Sequence, residues 1–210
     1  DSIVHLAAAL SVGEGEKNPK KYYKINVEGT KKLLNALINT GVKNFIFSST
    51  RAVYKDGSSK VSESTKLKPT SVYGKTKLKA DKCVMRYKKG IVIRIPLLFG
   101  PTHKKQIVAT LLNKIKRKKK VFIADDVYST PVYSPLLCEF IYENFIRKNN
   151  FLKKKLIHFT SVKFLSLYDL IILLSKKIKG RDLSKIVRVK DEFFKPESDI
   201  KPKNLGLKSI

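Results

Sequence analysis

The sequence predicts an α/β fold with a parallel sheet, followed by a smaller α/β lobe, and three observations lead to this class. Short apolar runs alternate with longer segments of helical period along the 210 residues. Apolar residues make up 42% of the chain, which is enough for a sizeable core. The alternation is regular up to about residue 100 and looser afterwards. We therefore expect one unit over residues 1–100 and a second over 101–210 that partly returns to the sheet.

The first unit alternates three buried strands with two helices. In chain order these are strand 3–8, helix 19–40, strand 44–49, helix 71–88 and strand 91–95. Each strand is a short apolar run, and apolar positions recur at intervals of three and four residues in each helix. Gly41 suits the position that follows a helix end. The polar residues 55–69 and the segment Gly13-Glu14-Gly15 predict surface loops.

The second unit predicts shorter elements with a weaker pattern. In chain order these are helix 104–117, strand 121–123, helix 135–148, a strand near 157, helix 166–179 and strand 186–189. Pro196 and Pro202 predict a tail that is mostly loop. Cys83 and Cys138 fall within predicted helices, where we expect both side chains to pack.

The net charge of +28 dominates the composition and predicts attraction to polyanions. Arginine accounts for seven of the 45 basic residues, so lysine supplies 38, and its densest cluster lies at residues 114–120. Base and phosphate recognition favours the guanidinium fork of arginine. We therefore interpret the charge as solvated surface and expect no specific nucleic-acid partner. A basic polyanion-binding module is the alternative from another class of function.

The rest of the composition narrows the class of protein further. No apolar run approaches the roughly 20 residues that a membrane-spanning helix needs. Two cysteines cannot form a disulfide scaffold or a zinc knuckle, which indicates a reducing compartment, and we expect a cytoplasmic protein. The three histidines lie far apart, without ligands at metal spacing, so we expect no metal site.

Residues suited to chemistry collect at the carboxyl ends of the predicted strands, where open parallel sheets bind ligands. The first strand ends in Ala7-Ala8-Ala9, which a flat ligand can approach closely, and the second ends in Ser48-Ser49-Thr50. The next helix holds Tyr73 and Lys77, whose four-residue spacing puts both side chains on one face. A lysine ammonium lowers the pKa of a nearby phenol from its usual value of ~10. With a threonine hydroxyl to bond the substrate oxygen, the three groups can move a proton while hydride moves to or from a nicotinamide.

The order of several motifs resembles the extended short-chain dehydrogenase/reductases that act on nucleotide-sugars. The motifs are Val4-His5-Leu6-Ala7-Ala8, Asn26-Val27-Glu28-Gly29-Thr30, Asn44-Phe45-Ile46-Phe47-Ser48-Ser49-Thr50, Val53-Tyr54, Tyr73-Gly74-Lys75-Thr76-Lys77, and Arg94 followed by Phe99-Gly100-Pro101. The resemblance implies a Rossmann-like parallel sheet, NAD or NADP as cofactor and a nucleotide-sugar substrate. In such a fold, residues 1–100 form the C-terminal half of the cofactor-binding domain and 101–210 the substrate-binding lobe. Since the chain opens within a strand, we expect the first βα units, with their Gly-rich phosphate turn, to lie upstream.

The resemblance also assigns roles to individual residues. Tyr73 corresponds to the general acid/base, Lys77 to its partner, which also bonds the nicotinamide ribose, and Thr50 to the catalytic hydroxyl. The residues that the resemblance places at the cofactor are Leu6, Ala7, Ala8, Ala9, Asn26, Ser48, Tyr73, Lys77 and Pro96. The helices around 19–40 and 71–88 are those that this family often uses to form homodimers.

The two halves of the chain resemble different subfamilies. Residues 20–50 are similar to UDP-glucose 4-epimerases. Tyr128-Ser129-Thr130-Pro131-Val132-Tyr133 and Lys201-Pro202-Lys203-Asn204-Leu205 are more similar to dTDP-4-dehydrorhamnose reductases. Leu97 stands where the epimerase pattern has an asparagine and the reductase pattern an aromatic residue. A 4-keto-sugar reductase is therefore the leading expectation, with a 4-epimerase or 4,6-dehydratase as the alternative and a degenerate, non-catalytic homologue as a third.

Overall fold

The computed structural model describes residues 1–55, 61–101, 106–147, 155–194, 204, 205 and 207. Its strands are β1 (Ser2–His5), β2 (Asn44–Thr50), β3 (Gly90–Ile95), β4 (Leu98–Phe99), β5 (Val121–Ala124), β6 (Tyr128–Ser129), β7 (Val132–Tyr133), β8 (Leu156–His158), β9 (Leu165–Ser166), β10 (Ile186–Val189) and β11 (Asn204–Leu205). Its helices are α1 (Val12–Lys17), α2 (Pro19–Tyr23), α3 (Thr30–Ala36), α4 (Val72–Arg86), α5 (Ile107–Lys116), α6 (Ser134–Ile141) and α7 (Leu167–Ser175). The π-helical segments Lys24–Gly29 and Tyr142–Arg147 continue α2 and α6, and 3₁₀ turns lie at Arg51–Val53, Leu183–Lys185 and Asp191–Phe194.

Four parallel strands form the main sheet in the order β1-β2-β3-β8. The central strands are buried because their alternating side chains face helices on both sides. Phe45, Phe47 and Val92 pack against α3 and α4 on one face. Ile46 and Ile93 pack against α6 and its π-helical continuation on the other. The predicted α/β fold with a parallel sheet is confirmed, and the fourth strand comes from the second half of the chain.

A smaller layered unit accounts for most of the second half. Strands β5 and β10 pair in parallel, and an apolar cluster from α5 and α7 covers them. The two-residue strands form short separate ladders, in which β4 pairs with β7 and β6 with β9. Strands of two residues carry no periodicity, which explains why the sequence pattern loosens beyond residue 100 and why these strands were not predicted.

The first strand and the segment after it differ from the prediction. The strand expected over 3–8 ends at His5, and its residues are only half-buried because β1 is an edge strand of the described sheet. Gly13-Glu14-Gly15, expected in a loop, lies in α1, where the Ser11 hydroxyl caps the Glu14 amide. A Cβ at Gly15 would lie 3.2 Å from the Tyr22 ring, so a glycine lets α1 and α2 pack closely.

The helix predicted over 19–40 is continuous from Pro19 to Ala36 but contains a π-helical segment and ends early. Asn39 has a φ of 67°, and the Thr40 hydroxyl donates to the Leu37 carbonyl, which together turn the chain out of the helix. The helix predicted over 71–88 and the strands at 44–49 and 91–95 are confirmed within two residues.

The remaining elements follow the predicted order with shifted ends. The helices expected at 104–117, 135–148 and 166–179 correspond to α5, to α6 with its π-helical segment, and to α7. Cys83 is half-buried beside the core, as predicted, but Cys138 is exposed on α6, so the packing predicted for it is wrong. The described residues do not include His103, residues 56–60 of the loop predicted over 55–69, or most of the tail from residue 195 onwards.

Candidate active site

Two local features of the sequence hold α4 against the end of β2. The Ser71 hydroxyl caps the helix by accepting a 3.0 Å hydrogen bond from the Gly74 amide. Gly74 in turn permits a close approach, since a Cβ there would lie 2.2 Å from the carbonyl oxygen of Ala52, just after β2. This packing brings the first turn of α4, with Tyr73, up to Thr50 at the carboxyl end of β2.

The side chains of Tyr73 and Thr50 lie close enough for hydrogen bonding by the threonine hydroxyl to act on the pKa of the phenol. The Thr50 hydroxyl also accepts a 3.2 Å hydrogen bond from the Ala52 amide, which fixes it at the strand end. Burial raises the pKa of Tyr73 to about 12, although the hydrogen bond with Thr50 acts in the opposite direction. The lowered pKa predicted for this phenol is therefore wrong, because desolvation outweighs the groups that favour the phenolate. At neutral pH the phenol keeps its proton.

Lys77 lies one helical turn beyond Tyr73 and is only 3% exposed. Its ammonium donates a 2.7 Å hydrogen bond to the Ser48 carbonyl and lies 3.9 Å from the centre of the Phe47 ring. Burial lowers the pKa of Lys77 to about 8, while Asp81 acts to raise it. The ammonium therefore changes its charge within reach of physiological pH.

Asn26 connects the segment after β1 to α4. Its side-chain oxygen accepts a 2.8 Å hydrogen bond from the Ala9 amide. Its side-chain nitrogen donates two hydrogen bonds of 3.1 Å, one to the Ala9 carbonyl and one to the Thr76 hydroxyl. Asn26 is 1% exposed and lies in the π-helical segment, a local widening that is frequent at functional sites. These bonds replace the strand ladder after His5 and hold the backbone of Ala9 beside α4.

The segment between β1 and α1 presents apolar surface next to this helix. Leu6 is 65% exposed and Leu10 64% exposed. Ala7 is exposed, and Ala8 and Ala9 are half-buried. His5, the residue before the segment, has its pKa lowered by burial and by the charge of Lys77. The segment predicted to bind the cofactor therefore begins directly after His5, whose pKa the charge of Lys77 affects.

The structure brings some of the predicted residues together more directly than others. Thr50 lies near enough to Tyr73 to affect the pKa of its phenol, and Lys77 is hydrogen-bonded to the Ser48 carbonyl. Pro96 is half-buried immediately after β3, whose Ile95 pairs with Thr50 across the sheet. No hydrogen bond among the described residues joins Pro96 to this group.

A cavity of about 600 Å³ lies in the smaller unit. Its walls are mainly apolar and come from α5, β5 and α7, and the side chains of Lys114 and Lys120 add positive charge. Leu97, which also lines it, comes two residues after β3, and its amide donates a 3.3 Å hydrogen bond to the Ser129 hydroxyl. The cavity therefore begins near the carboxyl end of the main sheet. This cavity could not be predicted from the sequence, because its lining comes from distant segments.

Sequence reasoning missed a set of buried polar side chains beneath the site. Asp81 on α4 and Arg94 on β3 form an ion pair of 3.0 Å, and both are at most 1% exposed. Arg94 also donates to the Tyr54 phenol, which lies 2.7 Å from Nε2 of His158. One signal was available, since Asp81 is four residues after Lys77 on the buried face of the same helix, where a carboxylate requires a partner.

Two acidic residues after β5 have structural contacts. Asp125 pairs with Arg188 and Lys190, and Asp126 accepts a 2.7 Å hydrogen bond from the Asp191 amide, so both stabilise the turn after β5. Within the described ranges no cluster of histidine, cysteine and carboxylate side chains could hold a metal ion. Among those same residues, no helix has the length and apolar character to cross a membrane.

A parallel sheet whose second strand ends in hydroxyl residues, followed by a helix with Tyr73 and Lys77 on one face, defines a class of protein. Proteins that share the fold or part of the sequence include a dTDP-4-dehydrorhamnose reductase and a UDP-glucose 4-epimerase, in agreement with the resemblance to the extended short-chain dehydrogenase/reductases. Within this class, the chain belongs to the family described as the RmlD substrate binding domain, whose model matches residues 1–205.

Individual relatives agree with this family. A UDP-glucose 4-epimerase of Streptomyces lividans is 42% identical over 82 residues, which are 39% of this chain and 25% of that protein. The chain thus matches about a quarter of the length of this curated relative. The crystal structure of a dTDP-4-dehydrorhamnose reductase from Yersinia enterocolitica superposes with a TM-score of 0.84 at 25% identity, covering 100% of this chain and 72% of that one. A dTDP-4-dehydrorhamnose reductase from Bacillus anthracis, solved in complex with NADP, gives 0.85 at 21% identity, covering 100% and 72%.

Proposed function

We propose that the protein is an NAD(P)-dependent oxidoreductase that reduces the 4-keto group of a nucleotide-sugar. The observation that carries the proposal is the packing of the first turn of α4 against the end of β2, which puts Tyr73 near Thr50 and the buried Lys77 at the carboxyl end of the sheet. The dTDP-4-dehydrorhamnose reductases that share the fold over the whole chain support the reductive direction.

Tyr73 is the proton donor of this reaction. Because burial raises the pKa of its phenol to about 12, the side chain is protonated at neutral pH and can give its proton to an oxygen that becomes an alkoxide. Thr50, held by the Ala52 amide, donates a hydrogen bond to the same sugar oxygen and fixes its position. The two hydroxyls thus stabilise negative charge where it develops.

The residues around Lys77 fit a nicotinamide cofactor. The exposed apolar surface of Leu6 and the small side chains Ala7 and Ala8 offer a face for a flat ring. The Lys77 ammonium is a buried donor that can bond a ribose hydroxyl once it turns from the Ser48 carbonyl. When bound, the reduced nicotinamide supplies the hydride. Asn26 keeps the alanine segment beside α4, so it shapes this site through the backbone of Ala9.

The cavity of the smaller unit suits the nucleotide half of the substrate. Its apolar walls and Phe122 can contact a base, and Lys114 and Lys120 can attract the diphosphate. A nucleotide in this cavity would direct its sugar past Leu97 towards the end of β3, which neighbours Thr50 in the sheet. The homodimer expected from the resemblance stays a prediction.

Replacing Tyr73 with phenylalanine tests the proposal. In the intact protein, Tyr73→Phe removes the proton donor and one hydrogen bond, so we expect NAD(P)H consumption with a 4-keto nucleotide-sugar to fall by at least about 100-fold. Tyr87→Phe is the matched control, since Tyr87 ends the same helix and its hydroxyl contacts only the Leu37 carbonyl among the described residues. Turnover of Tyr73→Phe close to that of the control would contradict the proposal.

A nucleotide-sugar 4-epimerase is the second candidate, and the 42% identity over 82 residues to a UDP-glucose 4-epimerase favours it. An epimerase oxidises and reduces the same sugar in one cycle, so it retains its cofactor and consumes no net NAD(P)H. Incubation with a UDP-hexose and analysis of the product by NMR separates the two. Inversion at C4 without added cofactor would support the epimerase and contradict the reductase. Net oxidation of NAD(P)H with a keto-sugar would support the reductase.

A further inference from the structure

A carboxylate from another helix holds the backbone amide that precedes Tyr73. Oε1 of Glu16, on α1, accepts a 2.7 Å hydrogen bond from the amide of Val72, the first residue of α4. The first amides of a helix have no partner within the helix, and the positive end of the helix dipole favours a negative charge there. The first turn of α4 has no acidic residue of its own. The negative charge at this end of α4 therefore comes from α1.

The backbone carbonyl of Tyr73 is held as well. The Thr76 hydroxyl donates a 2.9 Å hydrogen bond to this carbonyl and accepts one of 3.1 Å from the side-chain nitrogen of Asn26. The same nitrogen donates a 3.1 Å hydrogen bond to the Ala9 carbonyl. A continuous path of hydrogen bonds thus leads from the segment predicted to bind the cofactor, through Asn26 and Thr76, to the backbone of Tyr73.

The chain between Ala9 and Glu16 is fixed by its own contacts. The Ser11 hydroxyl caps α1 by accepting a 3.2 Å hydrogen bond from the Glu14 amide. The Ser11 carbonyl accepts a 2.6 Å hydrogen bond from the phenol of Tyr22, a residue of α2 that is 0% exposed. These contacts join α1 to α2, so Glu16 meets α4 from a fixed position.

We propose that Glu16 is a positioning residue which, by holding the Val72 amide, fixes the first turn of α4 and with it the side chain of Tyr73. The proposal rests on the proposed function, since it specifies what keeps the proton donor of that reaction in place. It assigns Glu16 no contact with substrate or cofactor. Displacing a reacting group by about 1 Å can lower a rate by about 100-fold, so a single hydrogen bond at this point affects turnover more than it affects folding.

Three variants of the intact protein test the role of Glu16. Glu16→Ala removes the acceptor, whereas Glu16→Gln keeps a side-chain oxygen that can accept from the Val72 amide. Glu14→Ala is the matched control, because Glu14 is a carboxylate of the same helix that pairs with Lys21 over 2.6 Å. Both glutamates are exposed, so we expect every variant to fold.

The position of the Tyr73 ring is measured without turnover. The protein is labelled with ¹³C at the tyrosine ζ-carbons, and the Tyr73 resonance is identified by its loss in Tyr73→Phe. We expect Glu16→Ala to shift this resonance and to lower kcat by about tenfold, with KM changed by less than about twofold. Glu16→Gln should restore the resonance and kcat, and Glu14→Ala should match the unmodified protein in both.

The outcomes separate this proposal from the proposed function. An unchanged Tyr73 resonance in Glu16→Ala would overturn the role of Glu16, and so would a Glu16→Gln protein as impaired as Glu16→Ala. A shifted resonance with undiminished kcat would support the role of Glu16 in positioning Tyr73 and contradict Tyr73 as the proton donor. The two failures are therefore distinguishable.

Discussion

Tyr73 and Lys77 depart from their ordinary pKa values in opposite directions, and the same cause acts on both. Burial disfavours the charged form, so it raises the pKa of the phenol to about 12 and lowers that of the ammonium to about 8. A phenol that holds its proton is suited to act as an acid. This protonation state agrees with the proposed reduction, in which a proton follows the hydride onto oxygen.

The lowered pKa of Lys77 predicts a pH dependence. Below about 8 the ammonium is charged, and above it the charge is lost, so cofactor affinity and kcat/KM should fall as the pH rises through this value. The measurement is a pH profile of kcat/KM for the intact protein between about 6 and 10. Lys77→Arg keeps its charge over this range, so any residual activity of that variant should lack the alkaline limb. The same limb in both proteins would assign it to another group.

At this scale the sequence predicted that Tyr73 and Thr50 lie near each other, but not how the phenol ionises. The four-residue spacing placed Tyr73 and Lys77 on one face, and the strand end supplied Thr50. The direction of the phenol pKa depends on how many atoms surround it, and the Asp81–Arg94 ion pair joins α4 to a strand distant in the sequence. Neither fact is local in the sequence.

Two departures from regular structure, a π-helical segment and a glycine contact, position the helices at this site. The π-helical segment turns Asn26 towards Ala9 and Thr76, and the absence of a side chain at Gly74 lets α4 reach the end of β2. The sequence predicted the long helices and central strands because their apolar periods extend over whole elements. It missed the π-helical segment, and it missed α1, which depends on a capping serine and on packing against Tyr22.

Gly74→Ala tests the role of this close approach. An added Cβ would overlap the Ala52 carbonyl, so α4 must shift away from β2, which should destabilise the protein by about 1–3 kcal/mol and separate Tyr73 from Thr50. Thermal unfolding and kcat together measure both effects. The control is Gly41→Ala, where nothing lies within 4 Å of the new Cβ. A Gly74→Ala protein as stable and active as the control would show that the approach is not required.

The whole molecule is organised so that both halves of the chain build one sheet. Strand β8 pairs with β3, and Leu137, Ile141 and Phe145 from the second half cover Ile46 and Ile93 of the first. The sequence predicted that later elements partly return to the sheet, but the partners could not be read because such pairing is long-range. The interpretation of the charge as surface agrees with the exposed basic side chains of residues 114 and 116–120.

Phe145→Ala tests this shared core. The ring is 0% exposed and its loss leaves a cavity, so we expect a destabilisation of about 3–5 kcal/mol in urea unfolding. Amide exchange in β3, from the other half of the chain, should accelerate by the same free energy. Tyr142→Ala, at a 52% exposed position of the same π-helical segment, should cost less than about 1 kcal/mol. Faster exchange confined to residues beyond 101 would contradict a shared core.

The central claim is that Tyr73 and Thr50 hold the oxygen that receives the proton. A crystal structure of the intact protein with NADP and the reduced nucleotide-sugar measures this directly. We expect the sugar 4-oxygen within about 2.5–3.0 Å of both side-chain oxygens, with Lys77 on the cofactor ribose. A sugar bound with its 4-oxygen away from Tyr73, or a cofactor that does not reach Lys77, would contradict the account.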